Sequence, residues 1–334
     1  MLQLDEDSGD GEPDLVCAGE SMIMFVPDPS LPMSDATRYR PTVAGAESNV
    51  AAFAAALGLR AAWVSRVGDD PFGDYLVRHL GERGVDVRFV ERDRALPTGV
   101  AFKELSSDGT SVAYFRRGSA GSAMGEQAAG TVRRLAAGLV HLSGITQALS
   151  ESCEALVVGL TSNRPPGSTI SFDVNWRPSL WNERDPSVVL DVAREADIVF
   201  VGQDEAEDLW GVRNIEDVRR FLPEPTIVVV KQGAVGATAF SGGEPVFVSS
   251  LGVDVVEPVG AGDAFAAGFL VGTRRGLDMR GRLRLGTIVA AAALRVSSDV
   301  GPLPPVDVIE TLLALDKEEW QRARLEPLVS HSGA

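Results

Sequence analysis

Residues 257–268 read Glu-Pro-Val-Gly-Ala-Gly-Asp-Ala-Phe-Ala-Ala-Gly, and no other stretch narrows the choice of fold as far. Pro258 and the small residues Gly260, Ala261 and Gly262 make a turn, and the Ala-rich run at 264–275 reads as a helix. A helix start built from small residues leaves backbone N–H groups unpaired and lets a ligand approach them closely. The positive end of the helix dipole then favours an anion there, phosphate above all. One carboxylate, Asp263, stands at this mouth. Two uses of it stay open at this point. It caps the helix, the ordinary use of Asp there, or it takes a proton from a hydroxyl that attacks the bound phosphate.

The remaining chain alternates strand and helix, the rhythm of an α/β fold with a mostly parallel sheet. Leu15-Val16-Cys17-Ala18-Gly19 is an apolar run ending in Gly-Glu, a buried strand whose carboxyl end faces the ligand side. Ala44-Gly45-Ala46-Glu47-Ser48-Asn49 is a second small-residue turn feeding a helix, 50–57, that stops at Gly58. The pattern predicts strands at 62–67, 139–142, 169–174, 198–201 and 226–231, with helices at 72–83, 151–160, 186–196 and 205–209 between them. Strands at 237–240 and 245–248 precede the central stretch, and helices at 280–296 and 306–315 follow it. A β-hairpin, 98–105 and 111–116, turns through Ser106-Ser107-Asp108-Gly109-Thr110 and interrupts the alternation. With 20–43, 98–118 is expected to project as a small lid. Residues 1–13, with Asp5, Glu6, Asp7, Asp10 and Glu12, read as a poorly ordered acidic tail. Residues 317–334 read as a C-terminal tail, and 14–316 as one Rossmann-like, three-layer domain.

Composition excludes several functions. A formal net charge of -16 disfavours nucleic acid and anionic membranes as partners. Only Lys103, Lys231 and Lys317 are lysines among 31 basic residues, so an anionic substrate would be held mainly by arginine. Cys17 and Cys153 offer no disulfide framework or metal cluster, which suits a reducing cytoplasm. The three histidines are widely separated, and no apolar run approaches the length of a membrane span. The acidic N-terminus does not read as a signal peptide.

Other residues carry candidate chemistry. Lys231-Gln232-Gly233-Ala234-Val235-Gly236 follows a Val-rich strand, and its glycines suit a nucleotide wall or a plain hairpin turn. Walker spacing is absent, and no Gly-x-Gly-x-x-Gly follows the first strand, which disfavours a dinucleotide fold. In Phe172-Asp173-Val174-Asn175-Trp176-Arg177-Pro178, the residues Asp173, Asn175 and Arg177 share one side if the strand persists. Arg116, with Arg117 at the end of the hairpin, and Arg177 would converge on a substrate carboxylate; the plainer reading of each is a surface arginine. Glu205 begins a helix, as ordinary N-terminal charge or as a contact to Mg²⁺ through water. His141 reads as a satisfied core histidine rather than a ligand.

Taken together, these pieces resemble the ribokinase-like carbohydrate kinases of the PfkB family, from Asp14 to about Leu315. Both family signatures are present, Ala44-Gly45-Ala46-Glu47-Ser48-Asn49 and Pro258-Val259-Gly260-Ala261-Gly262-Asp263. The resemblance implies a three-layer α/β ribokinase fold with a small β-sheet lid. It implies Asp263 as catalytic base beside an anion hole of Gly260, Ala261 and Gly262. ATP would lie on Lys231, Gly233, Val235, Gly236, Gly260, Gly262 and Thr287, with Mg²⁺ reached from Glu205 through water. Within the family the chain is most similar to the 2-keto-3-deoxygluconate kinases. The motifs are Ala18-Gly19-Glu20, Tyr114-Phe115-Arg116-Arg117-Gly118-Ser119-Ala120, His141-Leu142-Ser143-Gly144-Ile145-Thr146 and Asp173-Val174-Asn175-Trp176-Arg177. Gly45, Asn49, Tyr114, Arg116 and Arg177 would then hold the sugar acid. A cytoplasmic homo-oligomer is implied as well, and a monovalent cation such as K⁺ near the loop where Glu257 replaces the usual Asp. Ala101 stands where a substrate-facing tyrosine is expected, Gly202 where Asn or Ser is common, and Thr287 where an Asn is sometimes seen. Fructose, ribose or another keto acid is the alternative substrate, and a non-catalytic sugar or nucleotide sensor the alternative class.

Overall fold

A computed structural model describes residues 11–28, 31–106, 109–181, 184–296 and 298–325. Residues 1–10 of the expected acidic tail, 107–108 of the hairpin turn and 326–334 lie outside the described residues. Seven strands come first in the chain: β1 (Leu15–Ala18), β2 (Met22–Pro27), β3 (Tyr39–Ala44), β4 (Ala61–Gly68), β5 (Val90–Asp93), β6 (Val100–Ser106) and β7 (Gly109–Phe115). Six follow: β8 (Leu139–Ser143), β9 (Thr169–Asp173), β10 (Ile198–Gly202), β11 (Ile227–Lys231), β12 (Gly236–Phe240) and β13 (Val246–Ser249).

Nine of them form one sheet in the order β13-β12-β11-β10-β9-β8-β1-β4-β5. The seven from β11 to β5 run parallel, while β12 and β13 fold back antiparallel at one edge. Sequences such as Ile-Val-Phe-Val in β10 and Ile-Val-Val-Val in β11 are apolar on both faces because helices cover both. Leu15 and Cys17 of β1 join a core with the helices Ala46–Ala56, Ala261–Arg274 and Met279–Ala293. Val16 and Ala18 join a second core with Glu126–Leu135, Glu151–Ser162 and Ser187–Glu195. Two cores with the sheet between them make three layers. The other four strands form a small sheet, β3-β2-β6-β7, to which the chain crosses directly from the end of β1.

Several expectations shift. Both helices fed by glycine turns begin early, at Ala46 and Ala261, because Gly45 and Gly260 themselves stand at the caps. Asn49 and Asp263 are therefore inside the first helical turns. Strand β9 ends at Asp173 and does not persist. Asn175 adopts φ 40, so Asp173, Asn175 and Arg177 do not share a strand face. The expected tail after 316 carries a helix, Lys317–Arg322, capped by Asp316. Its polar sequence conceals one buried residue, Trp320, whose Nε1–H donates to the Ser249 carbonyl at 3.0 Å. The helices Glu126–Leu135 and Ile215–Phe221 also went unmarked, being short and mostly polar.

Candidate active site

Three adjacent parallel strands, β9, β10 and β11, end in Asp173, Gly202 and Lys231; the register sets Lys231 beside Gly202 and Asp173 beside Phe200. Carboxyl ends of such strands are where open α/β sheets bind ligands. Lys231 Nζ donates to both Asp173 oxygens, at 2.9 and 2.8 Å. Burial alone would lower the Lys231 pKa, but Asp173 and Glu205 hold it above the usual lysine range. The lysine that follows the Val strand is thus a fixed cation at the floor of the site.

Facing it is the helix Ala261–Arg274. Gly260 starts this helix at φ 84, and a Cβ there would come within 2.7 Å of the Asp299 carbonyl oxygen. Glycine is required by both the left-handed backbone and the close approach. No side chain caps this helix, so Asp263 is free of the capping role. Its Oδ2 accepts from Asn49 Nδ2 at 2.9 Å and its Oδ1 from Asn175 Nδ2 at 3.3 Å. Burial, with the charges of Asp173 and Asp299, pushes the Asp263 carboxyl up to about 7; the Asn49 bond and Lys231 oppose the rise. A carboxyl balanced there exchanges a proton near neutral pH, as a general base must.

Beside the helix mouth opens a cleft of about 730 Å³. Lys231, Gly233, Gly236, Gly262 and Thr287 line it, with apolar walls from Leu251, Val253 and Leu294. At Gly236, φ 141, a Cβ would come within 2.2 Å of the Val248 carbonyl oxygen, so glycine is required for β12 to pair with β13 along this wall. Val235 is exposed on the same turn and is not among the cleft-lining residues. Arg324 lines the cleft too, from the segment expected to be a tail.

The remaining candidates lie on or next to the small sheet, except Arg177, which follows β9 of the main sheet. Gly45 leaves room for the Glu20 carbonyl, 2.6 Å from where its Cβ would be. Tyr114 is half exposed, with the Arg116 guanidinium 5.9 Å from its ring centre. Ala101 pairs with Tyr114 in the β6–β7 ladder and is fully buried. Arg116 Nε donates to Glu20 Oε2 at 2.7 Å, and Ser119 also bonds Glu20. Arg177 is half exposed and lies 3.7 Å from Glu205 Oε1, with Nη1 bonding its neighbour's carbonyl at 2.8 Å. Each arginine therefore has an internal carboxylate partner, where the sequence suggested two cations converging from lid and strand. The bend at Asn175 is the reason for Arg177.

Glu205 Oε2 accepts the Gly202 N–H at 2.6 Å and Oε1 the Trp176 N–H at 3.2 Å, so it serves the start of its own helix. Burial raises its pKa, against the pull of Lys231. Among the described residues no group of three or more His, Cys, Asp or Glu side chains is placed to hold a metal. Glu205, 14% exposed and with both oxygens bonded to backbone N–H groups, suits an outer contact to Mg²⁺ through water, since that ion keeps several waters when bound. A monovalent cation fits less well, since Glu257 is already ion-paired with Lys103. His141 is buried, its Nδ1 3.0 Å from Ser171 Oγ, and burial lowers its pKa to about 4. No helix among the described residues is long and apolar enough to cross a membrane.

A buried carboxyl at a glycine-started helix, beside a nucleotide-sized cleft, suits phosphoryl transfer to a small molecule. Residues 12–305 match the profile of the pfkB family carbohydrate kinases. The 2-dehydro-3-deoxygluconokinase of Bacillus subtilis is 33% identical over 92% of this chain and 98% of that protein. Its namesake from Thermoproteus tenax is 36% identical over 90% of this chain and 94% of that one. A sugar kinase of Pyrococcus horikoshii, solved with ATP, superposes with a TM-score of 0.75 at 26% identity, over 85% of this chain and 93% of that one. The chain belongs to the PfkB family of carbohydrate kinases and has its ribokinase-like α/β fold with a second, small sheet. A ribokinase-like protein of E. coli, 23% identical, was solved with both ATP and Mg²⁺.

Proposed function

We propose that this kinase phosphorylates a sugar acid, converting 2-keto-3-deoxygluconate to 2-keto-3-deoxy-6-phosphogluconate. The observation that carries the chemistry is Asp263, a carboxyl near its midpoint at neutral pH beside a glycine-started helix. Asp263 takes the proton of the substrate's terminal hydroxyl, while Asn49 and Asn175 hold its two oxygens in aim. The backbone N–H groups of the 260–262 turn receive the charge that develops on the transferring phosphoryl group. ATP lies in the cleft against Gly233, Gly236 and Thr287, with Lys231 at its floor. Bound Mg²⁺ would neutralise phosphate charge, reached from Glu205 through water. No step here needs a monovalent cation.

The choice of a sugar acid rests on Arg116 and Arg177 and on the names of the two relatives at 33–36% identity. Glu20 fixes one edge of the Arg116 guanidinium, and Arg177 bonds the Trp176 carbonyl with Glu205 3.7 Å away, which leaves further N–H groups of both for a carboxylate. Gly45 lets the Glu20–Ser21 segment pack against the start of its helix beside Asn49, and Tyr114 would cover the substrate. The small sheet acts as the lid, closing on the sugar and excluding water from the transfer. Exposed Tyr114 and Phe115 on that sheet favour a homo-oligomer that pairs there, and we place the enzyme in the cytoplasm.

Steady-state kinetics test the assignment. Arg116→Lys and Arg177→Ala should each raise KM for the sugar acid about tenfold or more, while KM for ATP stays put. An unchanged sugar-acid KM in both variants overturns the arginine reading.

A further inference from the structure

Lys103 has no part in the mechanism above, yet its side chain is more deeply buried than that of Lys231, 5% against 17% exposed. It reaches from β6 of the small sheet and donates from Nζ to Glu257 Oε2, three residues before Gly260. The Glu257 side chain is only 8% exposed, and its Oε1 has no hydrogen-bond partner. Asp299, also buried, packs its backbone on Gly260. Asn49 Nδ2 bridges from Asp299 Oδ2, at 3.4 Å, to Asp263 Oδ2, at 2.9 Å.

Three carboxylates, Glu257, Asp299 and Asp263, thus crowd one glycine turn. The Lys231–Asp173 pair serves the strand side of Asp263 and adds no net charge. On the Glu257 and Asp299 side the facing cation is Lys103, which holds Asp299 down against burial and the Glu257 charge, forces that push it to about 6. An unpaired buried carboxylate is strongly destabilising, so this turn needs a cation to keep its shape.

We propose that Lys103 is a positioning residue for phosphoryl transfer: a tethered ammonium that anchors the Glu257 end of the anion turn where a free monovalent cation would otherwise serve. Because the ammonium is carried by β6, it also ties the turn to the sheet that bears Tyr114 and Arg116. The tie aligns the Gly260–Gly262 amides only when that sheet is seated. The inference rests on the kinase reading for its turnover assay, but not for its stability assay.

The test compares KCl, NH₄Cl and choline chloride at equal ionic strength, by thermal melting and by ADP release. The native protein should show the same Tm and the same kcat in all three salts. Lys103→Met should lose on the order of tenfold to hundredfold in kcat, the cost of a misplaced reacting group, with less change in the sugar KM. K⁺ or NH₄⁺, but not choline, should raise its Tm and restore part of its kcat. Lys103→Arg should keep the native indifference to salt. A native protein whose Tm or kcat rises several-fold or several degrees with K⁺ over choline overturns the proposal, as does a Lys103→Met variant equal to native. If Lys103→Met fails to fold, the native and Lys103→Arg measurements still decide. Should no sugar be turned over, the kinase reading falls while the melting data continue to test Lys103.

Discussion

At Asp263, desolvation raises the energy of the charged form, Asp173 and Asp299 add to it, and Asn49 and Lys231 pull the other way. The outcome, about 7 against an unperturbed 3.8, has a signed consequence for stability. A carboxyl raised on folding binds its proton more tightly in the native state, so it favours folding below the unfolded value. That contribution is lost as pH rises from about 4 to about 7. The Asp263→Asn variant lacks this titration. Its Tm relative to native should therefore climb across that window and stay high at pH 8, as melting at several pH values will read. Turnover should vanish in the same variant while ATP binding persists, and native kcat/KM should fall on the acid side of about pH 7. Near-normal turnover of Asp263→Asn would remove it as the base. The sequence placed Asp263 correctly at a helix mouth because small residues are required wherever a backbone meets an anion. It could not reveal Asp299 or Lys103, whose roles come from partners far along the chain. Scarcity of lysine was the one available signal, since three lysines in 334 residues are each worth locating.

Glycine turns and strand ends decide where those residues sit. Gly260 combines a left-handed backbone with a 2.7 Å approach to Asp299. Gly260→Ala should cost about 1–3 kcal/mol from backbone strain alone, before the clash shifts the turn. A lowered Tm together with a kcat loss larger than any change in ATP affinity is the expected result. A variant with native kcat would show that the turn's shape is not needed for transfer. Strand and helix positions in the main sheet were readable from apolar runs and glycine stops. Their ends were not: the chain bends after Asp173 where an alternating pattern suggested continuation, and Asn175 tolerates the left-handed bend as few residues do. The helix Lys317–Arg322 escaped notice because one apolar residue in six carries its docking.

Over the whole molecule, a three-layer body holds Asp263, the Gly260 turn and the cleft of about 730 Å³, and the four-stranded sheet leads into Arg116, the arginine proposed to meet the sugar acid. The alternation of βα units and the hairpin that interrupts it made this division legible. Sugar identity is less so: at Ala101, where the resemblance implied a substrate-facing tyrosine, a small residue lies fully buried opposite Tyr114. ADP release by the native protein with Mg-ATP, measured across 2-keto-3-deoxygluconate, 2-keto-3-deoxygalactonate, 2-ketogluconate, fructose and ribose, tests the account most directly. Strong preference for 2-keto-3-deoxygluconate is the predicted result. Preference for fructose or ribose would contradict the sugar-acid assignment and the roles of Arg116 and Arg177, and silence across the panel with ATP bound would contradict the proposed reaction.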